Sequence, residues 1–97
     1  METEVYYSNL VNEKQKELEK YLANDRETKE MLKSDMDELD SIYADLKNDL
    51  NDDVSNPEVI EAMIQNYRIK LEILEDLLSQ LKDMENQDYE KEDSYSL

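Results

Sequence analysis

The sequence contains no cysteine, no histidine and no glycine, and it has one proline in 97 residues. Without cysteine there is no disulfide or thiolate site, and without histidine the commonest zinc ligand and general base are missing. Without glycine there is no phosphate-binding loop of the P-loop or dinucleotide type. We therefore expect a protein that is not an enzyme and that uses no cofactor or metal.

Long apolar runs are missing as well. Nowhere do about 18 apolar residues follow one another, as a membrane-spanning helix requires. The N-terminal segment METEVYYSNL also lacks the basic and then apolar order of a signal peptide. We expect a soluble protein of the cytoplasm or nucleus that does not contact membranes.

Positive charge is scarce. The chain has 11 Lys and Arg residues against 27 Asp and Glu residues, which gives a formal net charge of -16. Such a charge repels nucleic acid and anionic lipid and attracts basic surfaces. We expect no direct nucleic-acid binding, and a partner that is a protein with a helical or basic surface, a second copy of the chain, or both.

The residues that remain favour helices, because Glu, Lys, Asp, Leu and Met dominate the composition. The clearest helix is predicted over residues 57 to 86, with Asn56 or Ser55 as its N-cap and Pro57 in its first turn. Its apolar residues recur at steps of three and four: Ile60, Met63, Ile64, Tyr67, Leu71, Leu74, Leu77, Leu78, Leu81 and Met84. Residues 88–97 are highly charged and aperiodic, which predicts a disordered acidic tail.

The first half of the chain has a heptad pattern. Val11, Leu18, Leu32, Leu39 and Leu46 share one heptad position, and the missing member of that series is Asp25. Asp25 or the neighbouring Asn24 can cap a new helix, so two all-α architectures stay open. The favoured one is an antiparallel, coiled-coil-like hairpin with a continuous helix at about 5–50, a turn at 51–56 and a second helix at about 57–86. The other is a three-helix bundle in which the first helix breaks near Asp25. Either forms one helical domain over residues 1–87.

Folding the second helix back across the turn leaves about the first 20 residues without a neighbour. Exposed apolar residues of this kind usually mark an interface, and the leftover segment must fold back, dimerise or bind another protein. Two isoleucines also lie beside the main apolar stripe of the second helix. The predicted partner-binding residues are Tyr6, Tyr7, Leu10, Val11, Ile69 and Ile73.

The segment NDLNDDVSNPEV, residues 48–59, carries part of the ligand pattern of a calcium-binding loop. Such a loop needs oxygen ligands at positions 1, 3 and 5, glycine at 6 and glutamate at 12. Asp49, Asn51 and Asp53 match the first three, but Val54 and Ile60 occupy positions 6 and 12. We interpret the segment as a solvated turn with a helix cap.

Acidic residues concentrate between residues 34 and 58, where nine of them stand against the single base Lys47. An acidic face is predicted there, formed by Asp35, Glu38, Asp45, Asp49 and Asp52. On one side of a helix, such carboxylates stand roughly 6 to 10 Å apart, which is comparable with the separation of phosphates on a DNA strand. The face either keeps a leucine-rich protein in solution, docks a basic partner or imitates DNA.

The functional prediction is a non-enzymatic, protein-binding helical hairpin that acts as a small assembly subunit, adaptor or chaperone through coiled-coil contacts. The acidic face would steer the partner and select it, while apolar residues would supply most of the affinity. The alternative prediction is an acidic DNA-mimic inhibitor that occupies the nucleic-acid site of a DNA-binding protein.

Overall fold

The structure is a computed structural model that describes the backbone of residues 2–52 and 56–95 and the side chains of residues 2–50 and 56–86. Within these segments the chain forms three helices, α1 (Glu2–Leu22), α2 (Arg26–Asp52) and α3 (Pro57–Tyr95), and no strand. The predicted all-α class is therefore confirmed.

The favoured continuous helix at 5–50 differs from what the structure contains, because the helix is interrupted between Leu22 and Arg26. Asp25 is the N-cap of α2: its backbone carbonyl accepts from the Lys29 N–H at 3.1 Å, and its Oδ1 accepts from the Thr28 N–H, also at 3.1 Å. The Thr28 hydroxyl donates to Oδ2 at 2.7 Å. These bonds satisfy N–H groups that a helix start leaves open, so the break near Asp25 has a local cause.

The start of α3 agrees with the prediction and its end does not. Asn56 is the cap, since its Oδ1 accepts from the N–H groups of Glu58 and Val59 at 3.0 and 3.3 Å, and Pro57 is the first helical residue. Ser55, the other predicted cap, lies outside the described residues. The helix runs on to Tyr95, past the predicted end at 86 and through most of the predicted tail at 88–97.

The long helix α3 organises the other two. Both α1 and α2 pack mainly against α3 and touch each other little. Tyr7 contacts Tyr67 and Glu17 contacts Lys82, so α1 runs parallel to α3. In contrast, α2 is antiparallel to α3, and it places Leu39 opposite Asn66. That pairing is close to the predicted one, which put Leu39 near Arg68.

The core lies along the line where the three helices meet. Leu18 of α1 and Met63 and Leu74 of α3 are at most 1 % exposed. Further buried or partly buried residues surround them, and they include most of the leucines expected to hold a hairpin: Val11, Leu22, Met36, Tyr67, Leu78, Leu32, Leu39, Leu71 and Leu81. The first 20 residues have thus folded back to complete this core.

Candidate functional site

A buried lysine lies at the centre of the helix assembly. The Lys70 side chain is 7 % exposed, and its ammonium group pairs with the Asp40 carboxylate of α2, whose side chain is 63 % exposed. The Lys70 Nζ also lies 5.1 Å from the ring centroid of Tyr67 and 5.6 Å from that of Tyr43. A buried ammonium is unfavourable without such partners, so Asp40 and the two rings explain why α3 tolerates a lysine in its apolar stripe.

Three tyrosines continue this cluster towards the N-terminus of α1. The rings of Tyr7 and Tyr67 are stacked at 5.8 Å, and Tyr43 meets Tyr67 edge to face at 5.0 Å. The Tyr43 hydroxyl is buried, and none of the described residues meets it in hydrogen-bond geometry. Burial raises the pKa of Tyr43, and the nearby Tyr67 hydroxyl and Glu4 carboxylate raise it further. The cluster therefore keeps Tyr43 neutral.

Two further polar contacts tie the helices together at this level. The Asn66 amide donates to the backbone carbonyl of Leu39 at 2.9 Å. Glu4 pairs with Lys47 at 3.1 Å, and this hydrogen bond, with a smaller effect of the nearby Tyr43 hydroxyl, lowers the pKa of Glu4. Because the charges of Lys70, Glu4 and Lys47 are all paired within the chain, the cluster suits the fixing of helix register better than proton transfer.

Two depressions lie beside this cluster. A polar cavity of about 160 Å³ adjoins Lys70 and Asp40 and is also lined by Ser8, Asn12 and Gln15. A shallow groove of about 570 Å³ separates α1 from α2 near the break, with Leu18, Leu22 and Met36 at its base and charged residues along its rim. Since its apolar base is already buried by α3, the groove offers little new apolar surface to a partner.

One side of α2, next to its buried stripe, presents a different surface. Seven residues follow one another there at alternating steps of four and three, so they form one row along the helix. We call them the α2 outer row: Met31, Asp35, Glu38, Ile42, Asp45, Asp49 and Asp52. Met31 is 59 % and Ile42 is 47 % exposed, and Glu38, Asp45 and Asp49 are exposed as well.

The predicted acidic face is contained in this row. Asp35 is half-buried, and the side chain of Asp52 lies outside the described part of the chain. The sequence analysis missed the two apolar members, Met31 and Ile42, although their heptad spacing from the acidic residues was a signal that could have found them. Their presence makes the row a mixed acidic and apolar surface.

The predicted partner-binding residues are divided between the core and the surface. Tyr6 is 61 % exposed, whereas Val11 is 7 % exposed and belongs to the core. Tyr7 and Leu10 are half-buried. Hence α1 uses most of these side chains to pack against its own chain, and of the four predicted residues on α1 Tyr6 alone is largely exposed.

The two predicted residues of α3 lie beside α2. Ile69 is 37 % exposed and Ile73 is half-buried against the core. They lie three and seven residues after Asn66 and therefore on the same side of α3. Because Asn66 bonds to Leu39, this side faces α2. Asp35 lies four residues before Leu39 and Ile42 three residues after it, on the corresponding edge of α2. We call these four residues the seam between α2 and α3.

The described residues contain neither a metal-ligand cluster nor a membrane-spanning helix. In the part of the chain that the structure describes, no three metal-ligating side chains come together. The side chains of residues 51–55, within the segment that partly matches a calcium loop, lie outside that part. None of the described helices combines the length and the apolar character that crossing a membrane requires.

No protein-family model matches the chain, and no curated protein or solved structure is detectably similar to it.

Proposed function

We propose that this protein is a non-enzymatic protein-binding module, which acts as a small assembly subunit, adaptor or chaperone and binds through the α2 outer row. The observation that carries this proposal is the exposure of Ile42 and Met31 among acidic residues. A solvated face that only kept the protein in solution would not need two large apolar side chains at heptad positions.

The seam extends this surface onto α3. The Asn66 hydrogen bond to Leu39 holds the two helices in register, so the exposed part of Ile69 adjoins the row near its middle. A partner helix lying along α2 would bury Ile42 and Ile69 together. Such a mode follows the helix-in-groove pattern, in which apolar contacts anchor one face of the added helix.

The charges indicate the chemistry of the partner. Five of the seven residues in the α2 outer row are acidic, and Lys47 on the same helix is paired with Glu4 and points to the α1 side. A complementary helix would carry Lys or Arg residues beside an apolar stripe. Its charges would speed association and discriminate among partners, and the apolar stripe would supply most of the affinity.

The proposal is tested by affinity capture from cells that express the protein, using two single-residue variants as matched baits. Ile42→Asp places a charge inside the row, and Met84→Asp places one on a residue of α3 that is 61 % exposed and outside the row. We expect Ile42→Asp to lose a basic helical partner that Met84→Asp retains, with both variants as helical as the native protein. Equal recovery by the two baits would contradict a binding role for the row.

The alternative function is a DNA mimic that blocks a DNA-binding protein. It is supported by the exposed carboxylates of Glu38, Asp45 and Asp49, which recur at seven and four residues along one side of α2. The exposed Ile42 between Glu38 and Asp45 counts against it, because a surface that binds through its charges does not need a large apolar side chain there.

Salt and competing DNA separate the two functions. A partner held by charge is released by 0.5 M salt, by duplex DNA and by the double change Asp45→Lys with Asp49→Lys. A partner held by apolar contacts stays bound through high salt and is insensitive to DNA. If duplex DNA released the partner from the Met84→Asp bait, whose α2 outer row is unchanged, the DNA-mimic function would be established.

A further inference from the structure

The connection between α1 and α2 can become helical without a change of sequence. Residues 23–25 are Ala, Asn and Asp, so the break contains neither glycine nor proline. No described residue of the chain has a positive φ. Every residue of the break can therefore adopt helical geometry at little cost, and the main interaction that opposes it is the Asp25 cap.

The heptad pattern runs through the break without a shift. Val11 and Leu18 on α1 stand at multiples of seven from Leu32 and Leu39 on α2, and Asp25 occupies the place between them. A straight helix from Glu2 to Asp52 would thus keep the buried residues of both halves on one stripe. The straight helix is therefore a second conformation in which the apolar residues of this segment form one continuous stripe.

In a straight helix α1 leaves its own α3. Val11, Leu18 and Leu22 are at most 7 % exposed in the folded-back form, and they would then face water. A second copy offers the surface they need, since its α3 has lost its own α1 in the same way. Exchange of identical elements preserves every contact of the closed form and changes only the connection.

The helix directions permit this exchange. Because α1 is antiparallel to α2 and parallel to α3, two straight helices related by a two-fold axis would place each α1 on the partner copy's α3 in the observed direction. We propose that two copies of this chain form a dimer by exchanging α1. Tyr7, Leu10 and Val11 then become contacts between copies. This dimer is independent of the α2 outer row.

The test uses the pair Glu17–Lys82, which joins α1 to α3 at 3.1 Å. The native chain has no cysteine, so single thiols can be placed at will. One variant carries only Glu17→Cys, and a second variant, with a tag of different size, carries only Lys82→Cys. The two are mixed, unfolded, refolded together at high concentration and treated with a short bismaleimide. We expect a cross-chain product that increases with concentration. Lys16→Cys, at an exposed site on the outer side of α1, replaces Glu17→Cys as the control and should give little product.

Two substitutions at the break act in opposite directions. Arg26→Pro suits the first residue of a capped helix and blocks a straight one, since proline there removes a hydrogen bond and clashes with the carbonyl of Leu22. It should abolish the product, whereas Asp25→Ala should raise it several-fold by removing the cap. Absence of product even with Asp25→Ala would overturn the proposal, and so would product that Arg26→Pro leaves unchanged.

Discussion

Lys70 and Asp40 form an ion pair in which the lysine side chain is 7 % exposed and the aspartate side chain 63 % exposed. The ammonium group is thus held in the core by a carboxylate that still contacts water. Removing one partner of such a pair leaves a buried charge, while replacing the lysine by an apolar residue removes the charge altogether.

The first prediction concerns this pair. Asp40→Asn should lower the free energy of unfolding by about 1–3 kcal/mol. This cost is small for the loss of one partner of a buried ion pair, because Asp40 is partly hydrated. Lys70→Met should change it by no more than about 1.5 kcal/mol, and in that background Asp40→Asn should be nearly neutral. Urea denaturation of the four proteins measures the coupling. An equal cost of Asp40→Asn in both backgrounds would show that the pair is energetically unimportant.

A second prediction tests the folded-back position of α1. Leu18 is 1 % exposed, so Leu18→Ala should cost about 2–5 kcal/mol, a large part of the roughly 5–15 kcal/mol typical of small domains. Met31→Ala, at a site 59 % exposed on α2, should stay within about 0.5 kcal/mol. Thermal denaturation followed by circular dichroism compares the two. A Leu18 variant as stable as the Met31 variant would mean that α1 is not docked.

A third prediction concerns acid. The hydrogen bond from Lys47, together with the nearby Tyr43 hydroxyl, lowers the pKa of Glu4 below its ordinary value of 4.5. Since the unfolded chain binds this proton at higher pH than the folded chain, the stabilisation is present above pH 4.5 and is lost as pH falls through the lowered pKa. Glu4→Gln should therefore lower the free energy of unfolding at pH 7. At low pH the variant and the native protein should become equally stable.

Urea midpoints of the native protein and Glu4→Gln between pH 7 and pH 3 provide the measurement. Glu2→Gln, at an exposed site of the same turn, controls for loss of a negative charge near the N-terminus. If the difference in urea midpoint between the native protein and Glu4→Gln stayed constant with pH, it would contradict a lowered pKa of Glu4.

The sequence predicted the elements of this fold better than their arrangement. The cap at Asn56, the start of α3 at Pro57 and the pairing of Leu39 with the region of Arg68 all follow from local chemistry and hydrophobic period. The position of α1 does not, because an unbroken heptad pattern on both sides of Asp25 is compatible with a straight and with a folded helix. The Asp25 cap and the packing of α1 against α3 together select the folded-back helix.

The buried polar residues show a second limit. Lys70 and Asn66 are buried on α3 between Met63 and Leu74. The predicted apolar stripe runs past them without a gap, through Tyr67 and Leu71. A sequence pattern cannot show that Asp40 and two tyrosine rings converge on the ammonium group, since these residues come from another helix or another turn. The α2 outer row was missed for a simpler reason, because its acidic residues were considered without the apolar residues between them.

The binding role of the α2 outer row is tested most directly by placing a photoreactive amino acid at position 42 and irradiating cells that express the protein. The control places the same group at Lys16, which is exposed on the outer side of α1. We predict a cross-linked partner at position 42 and not at position 16, and attachment to a helix that carries Lys or Arg beside apolar residues. Equal labelling from both positions, or none from position 42, would contradict the proposal that this protein binds its partner through α2.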